Sequence, residues 1–240
     1  MAPEPPVEFA RICRANGLLI DEFQIRRFQT LVDGLLEWNS KINIISRRDH
    51  GNPWFVHLLH SIAPLFYFDI PQNAAVLDLG SGGGLPGLPL AIVRPDLRLV
   101  LVDSVRKKTA VIEDLVGRLG LSGVSVVTAR AEALTLDSKT ANHFDLVIAR
   151  AVAPLVDLIR WSGPLLKHPM HPSDSGPTSK RRMLQAGYLL ALKGGVLDAE
   201  IEEARRSFPA SAITVINMTF AGSLEIGFED KKVATVELRQ

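Results

Sequence analysis

The sequence predicts an α/β protein built on a doubly wound, mostly parallel sheet that follows a small N-terminal helical cap. Two observations carry this prediction. Strand-like and helix-like segments alternate from Ala74 onward, and a glycine-rich turn joins the first strand of that alternation to its first helix. The predicted boundaries are residues 1–72 for the cap, as part of the same compact unit, and residues 73–240 for a ligand-binding domain of Rossmann-like architecture.

Composition limits the classes of protein that this chain can be. Its 240 residues, 47% hydrophobic and 22% charged, are typical of one globular α/β domain with a modest appendage. The only cysteine, Cys13, fits a reducing compartment, and the opening MAPEPPVEFA lacks the pattern of a signal peptide. No apolar run reaches membrane-spanning length, so we expect a cytoplasmic protein without a membrane partner.

Three helices are predicted in the cap. Apolar residues recur at helical spacing in Val7–Asn16, and Asp21 is expected to N-cap a longer helix that ends near Trp38. A third helix is predicted over Trp54–Phe68.

Strands and helices then alternate through the predicted sheet domain. The strands are Ala75–Leu79, Leu97–Val102, Gly123–Thr128, Phe144–Ala149 and Gly187–Leu192, and the helices are Gly87–Val93, Arg106–Leu119, Pro154–Leu166 and Asp198–Ser207. Ala212–Asn217 and Lys232–Leu238 are predicted to close the sheet as an antiparallel pair.

One segment interrupts this alternation. Lys167–Ala186 is rich in proline, serine and histidine, so it is predicted to be a long surface loop that is mobile from about Met170 to Thr178. Its histidines, His168 and His171, are too isolated to indicate a metal site, and no metal is expected.

The stretch AAVLDLGSGGGLPG, which ends at Gly87, has the order of strand, glycine turn and helix that cradles a nucleotide. Two glycine frames overlap in it. Gly82-x-Gly84-x-x-Gly87 matches the dinucleotide fingerprint of nicotinamide-dependent oxidoreductases. Asp78-x-Gly80-x-Gly82-x-Gly84 is the pattern of class I methyltransferases that use S-adenosylmethionine (AdoMet).

Electrostatics favours the AdoMet frame. A pyrophosphate needs bare helix N–H groups, and a carboxylate from Asp78 at the mouth of the turn would repel it. The ammonium and sulfonium groups of AdoMet would be attracted by the same carboxylate. Gly80 and Ser81 also separate the strand from Gly82, although the dinucleotide frame needs the strand to run directly into its first glycine. The oxidoreductase remains as the alternative.

The carboxyl ends of parallel strands share one rim, where ligands bind in such folds. Asp103 closes the second strand and is expected to bind the ribose hydroxyls, or alternatively to cap the helix that begins at Arg106. Ala131 and Glu132 follow the third strand, where adenine would lie, although Glu132 fits the first turn of a short helix equally well.

Arg150 directly follows the fourth strand. An arginine at the rim of a pocket is costly unless it pairs with an anion, such as the carboxylate of the cofactor or an RNA phosphate. A base is another candidate contact, and a bridge to Asp78 or Asp145 is the structural alternative.

Several motifs around the glycine turn carry a resemblance to a known family. They are Trp38-Asn39, Asn43-Ile44-Ile45-Ser46, Val56-His57-Leu58-Leu59-His60-Ser61, Gly80-Ser81-Gly82-Gly83-Gly84-Leu85-Pro86-Gly87-Leu88-Pro89, Ala149-Arg150-Ala151 and Leu192-Lys193-Gly194. The chain resembles the glucose-inhibited division protein B family, the ribosomal RNA small subunit methyltransferases G, from about Leu18 to Leu238.

The resemblance implies an AdoMet-dependent enzyme that methylates guanine N7 in bacterial small-subunit (16S) ribosomal RNA and releases S-adenosylhomocysteine. It implies cofactor contacts at Gly80, Leu85, Ala131, Glu132 and Arg150. With the turn and the rim included, the expected cofactor-binding residues are Asp78, Gly80, Ser81, Gly82, Leu85, Asp103, Ala131, Glu132 and Arg150.

Three features depart from the family pattern. Val56 and His60 stand where the family has arginine and aspartate, and Ala149 stands where it has serine. The Lys167–Ala186 loop is also longer than the usual connection. Because none of these changes touches the glycine turn, they bear on substrate placement rather than on cofactor binding.

Guanine N7 has an in-plane lone pair and no proton to remove, so the implied reaction needs no general base, and no catalytic side chain is assigned. Asn43, His57 and Arg150 are candidates for positioning the base. The expected partner of the chain, a monomer, is ribosomal RNA or a small-subunit assembly intermediate. A non-catalytic RNA-binding assembly factor on the same fold is a second alternative.

The net charge of +1 gives no overall attraction to RNA, so RNA binding must rest on a local patch. Cationic side chains in predicted rim segments or loops are expected to converge near the cofactor. They are Lys41, Arg47, Arg48, Arg150, Lys180, Arg181, Arg182 and Lys193.

Overall fold

A computed structural model describes residues 5–45, 52–135, 141–168, 181–184 and 186–238 of the chain. Its centre is a seven-stranded sheet in the order β4-β3-β2-β5-β7-β9-β8. These strands are β2 (Ala75–Leu79), β3 (Arg98–Asp103), β4 (Val124–Thr128), β5 (Leu146–Arg150), β7 (Tyr188–Gly194), β8 (Ala212–Asn217) and β9 (Lys231–Glu237). The first five of them pair in parallel, while β9 pairs antiparallel with both β7 and β8. The predicted doubly wound, mostly parallel fold is confirmed.

Helices cover both faces of this sheet. They are α1 (Pro5–Ala15), α2 (Glu22–Asn39), α3 (His60–Ile62), α4 (Gly87–Val93), α5 (Arg106–Leu119), α6 (Ala131–Thr135), α7 (Leu155–Ser162) and α8 (Asp198–Ser207). Side chains alternate across a strand, so Val76 joins the hydrophobic cluster beneath α1–α5, and Leu77 joins the cluster beneath α7 and α8. Among the described helices, none is both long enough and apolar enough to cross a membrane.

The N-terminal helices pack on the same core as α4 and α5. Asp21 caps α2 as predicted, in a capping box whose partner is Gln24. At Gly34 of α2, an added Cβ would lie 2.5 Å from Leu115 of α5, so the two helices touch closely. These contacts support our proposal that residues 1–72 form one compact unit with the sheet.

The segment predicted as a helix over Trp54–Phe68 is less regular than its periodicity suggests. A π-helical turn at Trp54–Leu59 leads into α3, and a 3₁₀ turn follows at Ala63–Phe66. The chain then enters β1 (Phe68–Asp69), which pairs in parallel with β6 (Arg182–Met183).

Strand β6 lies inside Lys167–Ala186, where the sequence predicts a loop, and Leu184 beside it is buried. Two-residue strands are too short to leave a periodic pattern, which explains the difference. The predicted mobile stretch Met170–Thr178 lies outside the described residues.

Candidate active site

A cavity of about 550 Å³ opens at the carboxyl ends of the parallel strands. Its wall includes the glycine turn, the loops after β3, β4 and β5, and part of the cap. The lining residues are Ile44, Ile45, His57, Leu79, Gly80, Ser81, Gly82, Gly83, Leu85, Val102, Asp103, Ser104, Val105, Lys108, Ala129, Arg130, Ala131, Glu132, Arg150, Ala151, Val152 and Trp161. Most of the predicted cofactor-binding set therefore meets at one rim.

The glycine turn gives the cavity a floor of bare backbone. The N–H groups of Gly80 and Ser81 both donate to the carbonyl of Val102, at 2.8 and 2.9 Å, which ties the turn to β3. Gly82 has a φ of +57°, and no atom lies within 4 Å of the position that a Cβ would take. A ligand can therefore approach the main chain at Gly82 without meeting a side chain.

Asp103 fastens the turn to the end of β3. Its Oδ2 accepts a hydrogen bond from the Gly82 N–H at 3.0 Å, and its Oδ1 accepts one from the Val105 N–H at 2.9 Å. The N-cap position of α5 belongs to Val105, so the alternative that Asp103 is the cap is wrong. A carboxylate oxygen can accept two bonds, so Asp103 keeps acceptor capacity on the cavity side.

Asp78 lies beneath the turn and not at its mouth, which corrects the position expected from the sequence. It is fully buried, it does not line the cavity, and its Oδ2 accepts a hydrogen bond from the Gly87 N–H at 2.8 Å. Burial raises the pKa of Asp78 from 3.8 to about 7. Ionisation of this carboxyl therefore lowers stability as the pH rises from about 4 to about 7.

Arg150 crosses from the end of β5 to the π-helical turn. Its guanidinium donates to the carbonyls of Val56 and His57, at 3.2 and 3.1 Å, and to His57 Nδ1 at 2.9 Å. It also donates to the Ser61 hydroxyl at 3.3 Å. The sequence offers a bridge from Arg150 to Asp78 or Asp145 as the alternative, but all four of these bonds go to the cap instead.

Asp145 is held by other groups. It accepts a hydrogen bond from the Ala75 N–H at 2.7 Å and pairs with Lys167 at 2.8 Å. The residue after Arg150, Ala151, has a φ of +53°, which is rare for a side chain with a Cβ and is common beside functional sites.

Of the other two candidates for positioning the base, one lines the cavity and the other does not. His57 is buried and lines it, whereas Asn43 is exposed and does not. Next to Asn43, Ile44 and Ile45 reach the cavity because Asn39 Oδ1 accepts both of their N–H groups, at 2.7 and 2.9 Å. The Trp38-Asn39 motif was the signal for this turn, but spacing alone could not show that Asn39 builds it.

Glu132 occupies the first turn of α6 and also lines the cavity, so its place in the helix does not conflict with the prediction that it contacts the cofactor. Sequence reasoning missed two cations of the wall, Lys108 and Arg130. Both follow a strand end closely, which was the available signal. Trp161 was also missed, since it reaches the cavity from α7.

The predicted cationic patch does not form as a group of free charges among the described residues. Lys41 pairs with Glu37 at 2.8 Å, and Lys193 pairs with Glu200 at 2.6 Å. Arg150 donates hydrogen bonds to Val56, His57 and Ser61 of the cap. Arg47, Arg48 and Lys180 lie outside the described residues.

Two further members of that predicted patch lie at the opposite end of the sheet. Arg182 donates to the hydroxyl of Tyr188, the first residue of β7 and thus at the amino end of the parallel strands. Arg181 donates to the carbonyls of Asn16 and Gly17. The expectation that these two loop residues converge with the others near the cofactor is wrong, because a sequence shows a charge but not its partner.

His60 is a buried histidine beside the site. It is 5% exposed, its ring meets Phe228 edge-on at 5.7 Å, and its Nε2 has no hydrogen-bond partner within the described part of the chain. Burial, followed by the positive charges of Arg150 and Lys231, holds the pKa of His60 well below its usual 6.5.

We expect the substitution His60→Phe to reduce the loss of stability on acidification. The folded state keeps His60 neutral, whereas the unfolded chain takes up a proton as the pH falls through 6.5. The wild type should therefore lose up to ~1.4 kcal/mol per pH unit relative to the variant below about pH 6. Urea unfolding at pH 5 to 8 measures this difference, with the exposed His143→Gln as control. Parallel curves for the wild type and His60→Phe would contradict it.

Comparison of the sequence with known proteins relates this chain to ribosomal RNA methyltransferases. The model of the family described as rRNA small subunit methyltransferase G matches residues 24–170. A protein named ribosomal RNA small subunit methyltransferase G from Chlorobium luteolum is 36% identical over 206 residues, which cover 83% of this chain and 77% of that protein. The protein of the same name from Chlorobaculum tepidum is 34% identical over 228 residues, covering 92% and 93%.

Solved structures agree on the fold. A SAM-dependent O-methyltransferase from Thermotoga maritima aligns with a TM-score of 0.54 at 10% identity, over 88% of this chain and 72% of that one. A predicted O-methyltransferase from Agrobacterium tumefaciens aligns with a TM-score of 0.51 at 17% identity, over 75% and 79%. These likenesses establish the architecture, and the sequence matches establish the family: the chain belongs to the rRNA small subunit methyltransferases G.

Proposed function

We propose that the rim cavity binds AdoMet and that the chain methylates N7 of a guanine in small-subunit ribosomal RNA. The observation that carries this proposal is the bare backbone at Gly82 beside the carboxylate of Asp103, in a cavity whose wall also contains Ala131 and Arg150. The family to which the chain belongs is named for methylation of this RNA.

The residues present fit an adenosine-containing cofactor. Asp103 has acceptor capacity for the ribose hydroxyls, and Ala131 and Glu132 offer the wall on which adenine would lie. Gly80, Ser81 and Gly82 would contact the rest of the cofactor through the backbone, and Leu85 adds an apolar wall. Asp78 would support the site without touching the cofactor, because it accepts a hydrogen bond from the Gly87 N–H at the start of the helix that follows the turn.

The same geometry disfavours the dinucleotide frame. A pyrophosphate would need the N–H groups at the start of α4, but the Gly87 N–H is already bonded to Asp78. The sequence also offers only Tyr67 and Tyr188 as tyrosines, and neither lines the cavity.

The chemistry asked of the protein is mainly positioning. AdoMet supplies an electrophilic methyl group on its sulfonium. Guanine N7 already presents a lone pair, so the chain needs no base and must hold the acceptor in line, which is worth on the order of 7–11 kcal/mol in well-oriented systems. Arg150 and His57 would contribute by fixing the cap wall of the cavity, since the guanidinium ties His57 to β5.

We extend the proposal to partners and place of action. The substrate is ribosomal RNA or an assembly intermediate of the small subunit, which places the enzyme in the bacterial cytoplasm. We also propose that the chain acts as a monomer.

Calorimetry with AdoMet, S-adenosylhomocysteine and NAD tests the cofactor, and we expect heat with the first two only. We expect Asp103→Ala to weaken AdoMet binding by about 1–3 kcal/mol, because ligand hydroxyls would lose a charged acceptor. Asp157→Ala, at an exposed ion pair with Arg160, is the matched control and should bind like the wild type. Heat with NAD alone would overturn the cofactor assignment. Unchanged affinity in a folded Asp103→Ala protein would mean that Asp103 only fastens the turn.

A further inference from the structure

A second cavity, of about 540 Å³, adjoins the proposed cofactor cavity. The two cavities share Ala151 and Val152 as a common wall. The second one is lined by the loop after β5, the end of β7 and one face of α8; its residues are Ala151, Val152, Ala153, Pro154, Lys193, Ala199, Glu200 and Glu203. We call it the acceptor cleft.

The junction of the two cavities, beside Ala151 and Val152, is where a methyl group could pass between two ligands. Methyl transfer needs the donor carbon and the acceptor nitrogen about 3–3.5 Å apart before reaction, so the acceptor must occupy a space that adjoins the cofactor. The wall residues Ala151 and Val152 are exposed, and Ala151 is held at a φ of +53°. A small side chain in this strained conformation leaves room for a planar base at the junction.

A partly buried ion pair fixes the loop that forms this wall. Lys193 Nζ donates to the carbonyl of Ala153 at 2.7 Å and pairs with Glu200 at 2.6 Å. Glu200 also accepts the N–H of Leu155 at 2.6 Å. Lys193 and Glu200 are therefore engaged in holding the loop, and neither is free to read a base.

Glu203 lies one helical turn beyond Glu200 and lines the same cleft. It is exposed, and it makes no hydrogen bond or ion pair with another side chain in the described part of the chain. Guanine carries two donors, N1–H and the N2 amino group, on the edge that lies away from N7. A carboxylate accepts from both, whereas adenine presents an acceptor at its N1.

We propose that the acceptor cleft holds the target guanine, with N7 toward the shared wall and with Glu203 accepting hydrogen bonds from N1–H and N2–H. Glu203 is thus a specificity-determining residue of the acceptor base. This inference rests on the proposed function, because it assigns a place to the guanine of that reaction.

The test compares Glu203→Gln with Glu202→Gln, an equal charge change at an exposed neighbour that does not line the cleft. The methylated nucleotide is first located by mass spectrometry of rRNA treated with the wild-type enzyme. Inosine, which lacks the N2 amino group, is then placed at that position by ligation. Two constants are measured for an RNA fragment that carries either guanine or inosine at this position: kcat/KM for methyl transfer, and the fragment Kd in the presence of S-adenosylhomocysteine. The Kd for AdoMet is measured for each protein.

We expect Glu203→Gln to lower kcat/KM on guanine roughly 10- to 100-fold, with AdoMet affinity unchanged and Glu202→Gln like the wild type. The wild type should discriminate against inosine in both kcat/KM and fragment Kd, and Glu203→Gln should lose most of that discrimination. An equal inosine penalty in both proteins, or full activity of Glu203→Gln, would overturn the inference while leaving the proposed function intact. Absence of methyl transfer by the wild type would overturn both.

Discussion

Replacing Gly87 with alanine is expected to destabilise the fold by about 2–5 kcal/mol. A Cβ at this position would lie 2.6 Å from Asp78 Oδ2 and 3.0 Å from two carbons of Leu101. The turn would have to move, and the hydrogen bond from the Gly87 N–H to the buried carboxyl would be lost. Overpacking in a core costs about 1–3 kcal/mol, and a buried acceptor without its donor costs a similar amount.

The matched control is Gly117→Ala in α5. Gly117 is exposed, and no atom lies within 4 Å of its Cβ position, so the same change should raise stability by up to ~1 kcal/mol through helix propensity. Urea unfolding of both variants gives the two free energies. If Gly87→Ala proved as stable as the wild type, the turn would not depend on the contact between Gly87 and Asp78.

We expect Arg150→Lys to lose about 2–4 kcal/mol of stability and to bind AdoMet at least tenfold more weakly. The guanidinium reaches four acceptors on Val56, His57 and Ser61, and a single ammonium on a shorter side chain cannot span them. Because the charge is kept, the variant tests geometry rather than electrostatics. The part of the cavity wall that the N-terminal cap provides would lose its hydrogen bonds to the end of β5.

Arg160→Lys serves as the control for this variant. Arg160 is exposed and pairs with Asp157 three residues earlier, so its replacement should change stability by less than ~0.5 kcal/mol. Calorimetry with AdoMet and urea unfolding measure the two effects separately. If Arg150→Lys kept the stability and the AdoMet affinity of the wild type, neither would depend on the hydrogen bonds from Arg150 to the cap.

Elements whose ends are marked by local chemistry were predictable from the sequence. The structure has α5 at Arg106–Leu119 as predicted, since Gly120 adopts the left-handed conformation that ends a helix. Asp21 similarly marks the start of α2 through its capping box. The glycine turn and the rim also follow from chain order, because parallel strands bring their carboxyl ends together.

The partners of charged residues were not predictable, because they come from distant parts of the chain. Asp78 was expected at the mouth of the turn, but it is buried underneath, where it accepts a hydrogen bond from the Gly87 N–H. Arg150 finds acceptors at Val56 and His57, on a π-helical turn more than 90 residues earlier, and apolar periodicity does not specify a π-helical turn. Lys193 lies at the rim as predicted, yet Glu200 engages it.

The most direct test of the central claim follows the methyl group itself. The purified chain is incubated with AdoMet labelled in its methyl group and with small-subunit rRNA that lacks N7 methylation, both as naked RNA and as small subunits. The nucleosides are then separated and identified by mass spectrometry. We predict label in 7-methylguanosine at one guanine of the RNA. Label on another atom or base, or no transfer to either substrate, would contradict the assignment.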